Sequence, residues 1–180
     1  AQWVTGEYWE RHEVTRARRP EPSPRQAARI PRLLSRGLFD EQNAAQPWIT
    51  VRDAIADLPD PEKSREKVAN HVFIPGARSY PGHTGSPLDE PAKTLKAGDH
   101  GVPGGENMLA RTDGTVRYFT VREAARLQTF PDDYVFHGSW TETMRQLGNA
   151  VPVRLAEVVA NSVASTLRST GRKARGRLHS

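Results

Sequence analysis

The sequence predicts an α+β fold, in which a small irregular β domain is followed by short α-helices and a long C-terminal helix. Seven of the 14 glycines lie between Gly76 and Gly105, where short extended pieces alternate with Gly-Pro turns. After residue 116, helix-start signals and an apolar repeat of 3.6 residues replace that pattern. A chain of 180 residues is long enough for one ordinary domain or two small ones.

The first 47 residues show few regular patterns. Trp3, Tyr8 and Trp9 make residues 1–14 an aromatic segment, which predicts a short helix or strand that anchors the start of the chain. Residues 15–47 are rich in arginine and proline and have little periodicity. This composition favours a linker or a surface excursion.

Residues 48–116 open with the first clear helix signal. Thr50 and Asp53 match a capping box, apolar residues then recur at helical spacing, and Pro59 ends the run. The apolar positions are Val51, Ala54, Ile55 and Leu58. We expect a short amphipathic helix with a structural role.

Extended pieces at 71–74 and 93–96 alternate with glycine-rich turns, as in irregular β structure. Loops of this composition let a backbone approach a ligand closely, because glycine has no Cβ atom. Without further signals, an ordinary loop-rich β region explains them as well.

Two short helices are predicted between residues 117 and 147. Thr120 and Glu123 form a second capping box, so the first helix should begin at Val121, and Phe130 followed by proline should end it. The second helix should run over 140–147.

A long helix is predicted near the C-terminus. Gly148 and Asn149 suit a left-handed helix stop, after which Pro152 fits the first turn of the new helix. The positions that follow its 3.6-residue period are Leu155, Val158, Val159, Ser162, Val163, Thr166 and Leu167. The basic segment 169–180 is expected to be disordered.

The net charge of +5 is unevenly distributed. Residues 168–177 hold five basic side chains and no acid, and residues 11–36 hold eight arginines against two acids. Separated basic blocks attract polyanions such as nucleic acid, although basic segments are as often simply solvated.

Several function classes are excluded or disfavoured by composition. The chain has no cysteine, which excludes disulfides, a thiolate nucleophile and a cysteine-ligated zinc site. No apolar run approaches 18 residues, so no transmembrane helix is expected, and no signal peptide is visible.

Two stretches near the C-terminus resemble the last two sequence motifs of DNA (cytosine-5) methyltransferases. Residues 117–136 read R-Y-F-T-V-R-E-A-A-R-L-Q-T-F-P-D-D-Y-V-F, and residues 146–152 read Q-L-G-N-A-V-P. Nearly every position of the family patterns is filled at the right separation. Further similarities lie at 3–11 (W-V-T-G-E-Y-W-E-R), 50–59 (T-V-R-D-A-I-A-D-L-P) and 91–95 (P-A-K-T-L), so most of the chain before the basic tail takes part.

The motifs that serve catalysis in this family are absent. The family binds S-adenosylmethionine through F-x-G-x-G and attacks cytosine with the cysteine of a Pro-Cys motif, assisted by E-N-V and Q-x-R-x-R motifs, none of which occurs here. The chain therefore resembles the C-terminal part of such an enzyme. Residues 1–14 would return from a missing catalytic domain, 48–116 would form the target-recognition domain and 117–168 the closing helical motifs. No catalytic residue is expected in this chain.

The resemblance implies two recognition loops, near 78–85 and 98–105, that enter the DNA major groove. It also implies a threonine that contacts the phosphate beside the flipped nucleotide. Arginine suits guanine edges and aspartate accepts from cytosine, so the residue types fit base contacts, although each loop side chain could equally be solvated. The expected DNA-binding residues are Arg78, Ser79, Tyr80, His83, Thr84, Lys93, Thr94, Lys96, Asp99 and His100.

The resemblance also places a cofactor edge at residues 148–150. Gly148, Asn149 and Ala150 match family positions beside the methionine part of S-adenosylmethionine, which the missing half would hold for the most part. No metal site is expected, because the two loop histidines and Asp99 lack a spaced ligand set. Three other family positions are expected to be scaffold: Arg122, Glu123 and Gln128.

As a whole, the resemblance implies the target-recognition part of a cytosine-5 methyltransferase of the restriction-modification type. Its partners would be double-stranded DNA and a catalytic domain or subunit, in a bacterial cytoplasm at the nucleoid. Together they would methylate C5 of a flipped cytosine from S-adenosylmethionine. The chain would be a fragment of a larger enzyme or one subunit of a split enzyme, with the apolar face of the helix 152–167 as a partner surface. The alternative is a DNA-binding or protein-interaction module without catalysis.

Overall fold

A computed structural model of the chain describes residues 2–35, 48–97 and 107–176. Its contacts divide the chain into two compact units, Ala1–Trp48 and Ile49–Ser180. The fold is α+β, with a small three-stranded sheet and several helices, of which the C-terminal one is the longest. None of the helices in the described ranges is both long and apolar enough to cross a membrane.

The first unit is helical in its described part. It contains α1 (Glu7–Arg11), a 3-10 turn (Arg16–Arg18), α2 (Pro24–Ala27) and α3 (Ile30–Ser35). Tyr8 and Trp9 are buried on α1, and the rings of Trp3 and Trp9 lie 5.0 Å apart. The aromatic segment thus forms a helix rather than a strand, and it builds a small core of its own.

The segment 15–35 has more local structure than its composition indicates. Ser23 accepts from the backbone N–H of Gln26, whose side chain accepts in turn from the N–H of Ser23, so α2 starts with a capping box. Pro24 occupies the first helical position, where the missing N–H costs nothing. Residues 36–47 lie outside the described part of the chain.

The second unit carries the sheet and the remaining helices. Its elements are α4 (Val51–Ile55), β1 (Ser86–Pro87), β2 (Met108–Ala110), β3 (Val116–Tyr118), α5 (Val121–Leu127), α6 (Trp140–Asn149) and α7 (Val153–Gly176). β2 lies in the middle, parallel to β1 and antiparallel to β3. Because β3 runs across position 116, the predicted boundary between residues 116 and 117 falls inside a strand.

The extended pieces at 71–74 and 93–96 are not strands. In the piece at 93–96, side chains rather than a neighbouring strand satisfy part of the polar backbone. The buried amide of Asn107 donates to the carbonyl of Lys96 (3.2 Å) and accepts from its N–H (3.4 Å). A segment held in this way stays extended without joining the sheet.

The main core lies between α4, α5, α6 and the sheet. It consists of Val51, Ile55, Leu95, Leu109, Phe119, Val121, Ala124, Ala125, Phe136, Met144 and Leu147. Two fully buried alanines on α5 let the neighbouring elements approach closely. The apolar periodicity that predicts α4 therefore marks the face of that helix that is buried.

Both capping boxes predicted for the second unit are confirmed. Thr50 and Asp53 cap α4, and Thr120 and Glu123 cap α5, each with the reciprocal pair of hydrogen bonds. The cap of α5 is extended by His71, whose Nδ1 lies 2.8 Å from the Thr120 hydroxyl and whose Nε2 lies 2.7 Å from the carbonyl of Pro59. A carbonyl only accepts, so Nε2 carries a proton and donates it to Pro59.

The three scaffold positions act as the sequence predicts. Arg122 is 1% exposed and donates to the carbonyls of Ala69, Pro131 and Tyr134. Glu123, besides capping α5, accepts two hydrogen bonds from the Arg117 guanidinium. Gln128 donates to the carbonyl of Leu147 and thereby joins α5 to α6.

The predicted left-handed stop at Gly148 and Asn149 is wrong. α6 continues through both residues, Gly148 has no positive φ, and Ala150 leaves the helix with an extended backbone. The glycine is required for another reason. A Cβ atom there would lie 2.7 Å from the nitrogen of Ala97 and 2.8 Å from the carbonyl carbon of Lys96, closer than real Cβ atoms come to such atoms.

The long C-terminal helix α7 begins directly after Pro152 and is anchored at its first turn. The N–H of Val153 donates to the carbonyl of Gln128 (3.0 Å), and the N–H of Arg154 donates to the Thr129 hydroxyl (2.9 Å). Helical backbone continues to Gly176, into the segment for which the composition predicts disorder. The exposed apolar side chains on α7 are Val153, Leu155, Val158, Val159, Val163 and Leu167.

Candidate nucleic-acid interface

A tight turn at residues 80–83 forms the tip of the first predicted recognition loop. Tyr80 and His83 exchange two backbone hydrogen bonds, of 3.3 and 2.8 Å. Between them, Pro81 and a glycine with φ of +84° occupy the central positions, as in a type II turn. The two aromatic rings stack with centroids 4.3 Å apart, so the tip presents a fixed aromatic pair.

The residues beside the turn face solvent. Arg78, Ser79 and Thr84 are exposed, Tyr80 is 48% exposed, and His83 is half-buried. Burial raises the pKa of Tyr118 on β3, and the nearby Tyr80 adds a smaller contribution. Tyr118 in turn packs on Trp140, with ring centroids 5.0 Å apart.

The loop is fastened to the sheet at Gly85. This residue has φ of +78°, and a Cβ atom there would lie 3.1 Å from backbone atoms of Met108 and Ala110. The next residue, Ser86, is fully buried in β1. The loop therefore leaves the sheet at a fixed position, and a larger residue at 85 would meet both backbone strain and contact with β2.

Residues 91–97, which we call the strap, carry three further predicted DNA-binding residues. Leu95 is buried in the core, whereas Lys93, Thr94 and Lys96 are exposed. The burial of Leu95, together with the clamp from Asn107, fixes the backbone that presents the exposed side chains. Asn107 was not found from the sequence, because a lone asparagine beside a glycine-rich stretch gives no signal.

The strap and the first loop contact each other directly. The N–H of Lys93 donates to the buried Ser86 hydroxyl (3.0 Å), and its Nζ donates to the Thr84 hydroxyl (3.2 Å). The structure thus brings one residue of each predicted set, Lys93 and Thr84, into direct contact. Asp99 and His100, with the second loop at 98–105, lie outside the described residues.

A bidentate ion pair holds the segment that joins the first loop to the strap. Arg52 on α4 donates to both carboxylate oxygens of Asp89, at 2.6 and 3.0 Å. The first two N–H groups of α4 donate to the carbonyls of Glu90 and Leu88. The helix that the sequence assigns a structural role therefore holds the segment between β1 and the strap.

Near the C-terminal end of α5, Arg126 links this helix to the segments that carry Asp57 and Asp132. It donates to both oxygens of Asp132 and to Asp57, and these hydrogen bonds hold the pKa of each carboxyl below its ordinary value. A lowered folded-state pKa means that the carboxylates stabilise the fold above the pKa of an unfolded aspartate. This contribution is lost as the pH falls through the lowered values.

Residues 148–150, the predicted cofactor edge, lie at the C-terminal end of α6. Asn149 ends α6 with an exposed side chain that offers one amide, and Ala150 is half-buried. A surface cleft of about 460 Å³ in the second unit is lined by α4, the strap and α5, and residues 148–150 take no part in it. A whole cofactor needs a concave site with several polar groups, so the rest of such a site would come from other residues.

Within the described residues, no group of three histidine, aspartate or glutamate side chains is placed to bind a metal ion. His83 instead stacks on Tyr80. Asp99 and His100 lie outside the described part of the chain.

Comparison with protein families places most of the chain in one match. Residues 9–165 match the family described as C-5 cytosine-specific DNA methylase. The match includes the loop, the strap and helices α4 to α6.

Curated relatives are similar over part of their own length. The chain is 32% identical over 145 residues to the Type II methyltransferase M.MthTI of Methanothermobacter thermautotrophicus, covering 66% of this chain and 44% of that protein. It is 32% identical over 148 residues to M.NgoFVII of Neisseria gonorrhoeae, covering 68% and 37%. Over 81 residues it is 46% identical to M.AplI of Arthrospira platensis, covering 44% and 24%. In each case the match spans less than half of the relative.

Proposed function

Because the chain belongs to the C-5 cytosine-specific DNA methylase family, we propose that it supplies the DNA-recognition part of such an enzyme and closes the edge of its cofactor site. The complete enzyme would be a restriction-modification methyltransferase that acts on double-stranded DNA in the bacterial cytoplasm. The relatives named Type II methyltransferases support this class. S-adenosylmethionine, when bound, supplies the methyl group for C5 of a cytosine turned out of the duplex.

The single observation that supports the proposal most strongly is the contact between the first loop and the strap. Lys93 joins them through Ser86 and Thr84, so both present their exposed side chains from fixed backbone. DNA recognition divides into phosphate contacts, which fix register, and base contacts, which carry sequence information. A rigid connection between the two surfaces would transmit the register set by the phosphates to the residues that read bases.

The residue types suit this division. On the strap, the Thr94 hydroxyl and the ammonium groups of Lys93 and Lys96 would hold phosphates. On the loop, Arg78 would donate two hydrogen bonds to a guanine edge, and the stacked pair at the turn would meet neighbouring bases. In the second loop, Asp99 and His100 would add further base contacts. At the cofactor edge, Asn149 would donate or accept one hydrogen bond beside Gly148 and Ala150.

The chain alone should transfer no methyl group to DNA. The family's reaction uses a cysteine thiolate, and this sequence contains no cysteine, so the nucleophile must come from a catalytic domain or subunit. Incorporation of labelled methyl groups into duplex DNA would be measured with the chain alone and with a catalytic portion of the family added. Activity only in the mixture is the expected result. Transfer by the chain alone would overturn the proposal, and DNA binding without activity in any mixture would favour a non-catalytic module.

Substitutions on the loop and on the strap should have different signatures. Arg78→Ala should reduce the free-energy difference between the preferred base and other bases at one position by about 1–3 kcal/mol, because a bidentate base contact is lost. Thr94→Ala should weaken binding to all sequences similarly, because phosphates are alike. Selection from a randomised duplex pool with the chain measures both effects.

Arg65→Ala provides a matched control, since it removes the same charge from an exposed position outside the loop and strap. It should leave the selected sequences unchanged. Equal losses at all sequences for Arg78→Ala and Thr94→Ala would contradict the assignment of the loop to base contacts. His100→Ala should behave like Arg78→Ala if the second loop also reads bases.

A further inference from the structure

The first unit carries an unusually basic stretch, which we call the arginine segment and define as residues 15–35. It contains six arginines and a single acid, Glu21. Arg19 is half-buried and donates to the carbonyl of Val14, so it serves the fold of the unit. The other five are exposed: Arg16, Arg18, Arg25, Arg29 and Arg32.

The spacing of the last three arginines follows a helical repeat. Arg25 lies on α2, Arg32 lies on α3, and Arg29 lies in the two-residue connection, at intervals of four and three residues. Ala28 keeps a helical backbone at the start of that connection. In one continuous helix residues three or four apart lie on one side, so this spacing favours placing the three side chains close together along the segment.

Local restraints hold the arginine segment in shape. The Ser23–Gln26 capping box fixes the start of α2, and four prolines limit the backbone: Pro20, Pro22, Pro24 and Pro31. A segment that is already restrained loses less conformational entropy when it binds. Several exposed arginines close together in the chain raise the local positive potential, which attracts anions.

We propose that the arginine segment is a second DNA-binding surface, which contacts the phosphate backbone of the duplex without reading its sequence. This inference rests on the proposed function for its choice of partner. Guanidinium groups bind phosphate oxygens with two parallel hydrogen bonds, and each phosphate neutralised releases condensed counterions. A surface of this kind adds affinity that depends on salt and leaves sequence choice to the loops. Because both surfaces belong to one chain, binding by one raises the local concentration of DNA at the other.

The test replaces Arg16, Arg25 and Arg29 with glutamine in the full chain. A plot of log affinity against log salt concentration should become less steep by about 0.9 for each phosphate contact that is lost. The slope of the triple variant should therefore be smaller in magnitude by up to about 2.7. At about 0.1 M salt its affinity for any duplex should fall at least roughly tenfold. Its preferred sequence should not change. Fluorescence anisotropy with a labelled duplex at several salt concentrations provides both numbers.

A triple variant with the same charge change serves as the control. Lys63, Arg65 and Lys67 are exposed in the second unit, where acids alternate with them, and their replacement by glutamine should leave the salt slope nearly unchanged. Thermal unfolding by circular dichroism would verify that both variants are folded. An unchanged slope in the arginine-segment variant would overturn the inference.

Two further results separate this inference from the proposed function. If the arginine-segment variant keeps its DNA affinity but loses binding to vesicles of phosphatidylserine and phosphatidylcholine, the segment binds anionic lipid and the inference is wrong. If the unsubstituted chain binds no duplex, the proposed function and this inference fail together. If Arg78→Ala alters the selected sequences while the triple substitution in the arginine segment leaves the salt slope unchanged, only this inference fails.

Discussion

Glu123→Gln should destabilise the second unit by about 3–5 kcal/mol, because it leaves the Arg117 guanidinium buried without its counter-charge. Glu123 is 1% exposed and receives hydrogen bonds of 2.7 and 2.5 Å from Arg117 and one of 2.9 Å from the backbone of Thr120. A loss of this size approaches the total stability of many domains. Urea unfolding followed by tryptophan fluorescence would measure it.

An exposed pair of the same chemistry gives the control. Glu142 and Arg145 form an ion pair one turn apart on α6, and their side chains are about half exposed. Glu142→Gln should change the free energy of unfolding by less than about 1 kcal/mol, since water screens the pair. If both glutamine variants had the same small effect, the buried pair would not be the support that we assign to it.

Gly148→Ala should also destabilise the chain, although alanine is normally the better helix former. In an ordinary helix this change stabilises by about 1 kcal/mol, and the helical backbone of Gly148 imposes no strain on alanine. Here the added methyl group would meet backbone atoms of Lys96 and Ala97 at 2.7 to 2.8 Å. Overpacking against backbone costs about 1–3 kcal/mol, and the strap must move to relieve it.

Two measurements check the expectation for Gly148→Ala. The melting temperature should fall, and duplex affinity should fall as well, because Lys93, Thr94 and Lys96 move with the strap. Asn149→Ala, one position further along and exposed, should leave both quantities nearly unchanged in the isolated chain. A higher melting temperature for Gly148→Ala would show that the strap does not pack on α6 as described.

Local signals predicted the helices of the second unit well. The caps of α4 and α5 are confirmed at the predicted residues, because a capping box needs only groups three residues apart. The helix over 140–147 and the long C-terminal helix are also confirmed, and the latter was predicted from apolar residues that recur every 3.6 positions. The strands were harder to predict from the sequence, because each is only two or three residues long and their pairing joins separate parts of the chain.

The candidate site shows the same division between sequence and structure. The loop and strap residues were predicted from residue types and from the family resemblance, and their roles stay predictions. The contact of Lys93 with Thr84 and Ser86, the clamp by Asn107 and the Arg52–Asp89 pair emerged only from the folded chain. None of these pairs leaves a pattern in the sequence, because the partners lie at irregular separations.

By itself, the sequence determined the family, the helix starts and the absence of a cysteine nucleophile, since each is a property of residue identity at short spacing. The tertiary structure alone decided why Gly148 is a glycine, where the strands lie and which side chains fix the strap. The physical reason is the range of the forces involved. Capping and periodicity act within about one helical turn, whereas steric contact and hydrogen bonding between distant segments exist only after the chain has folded.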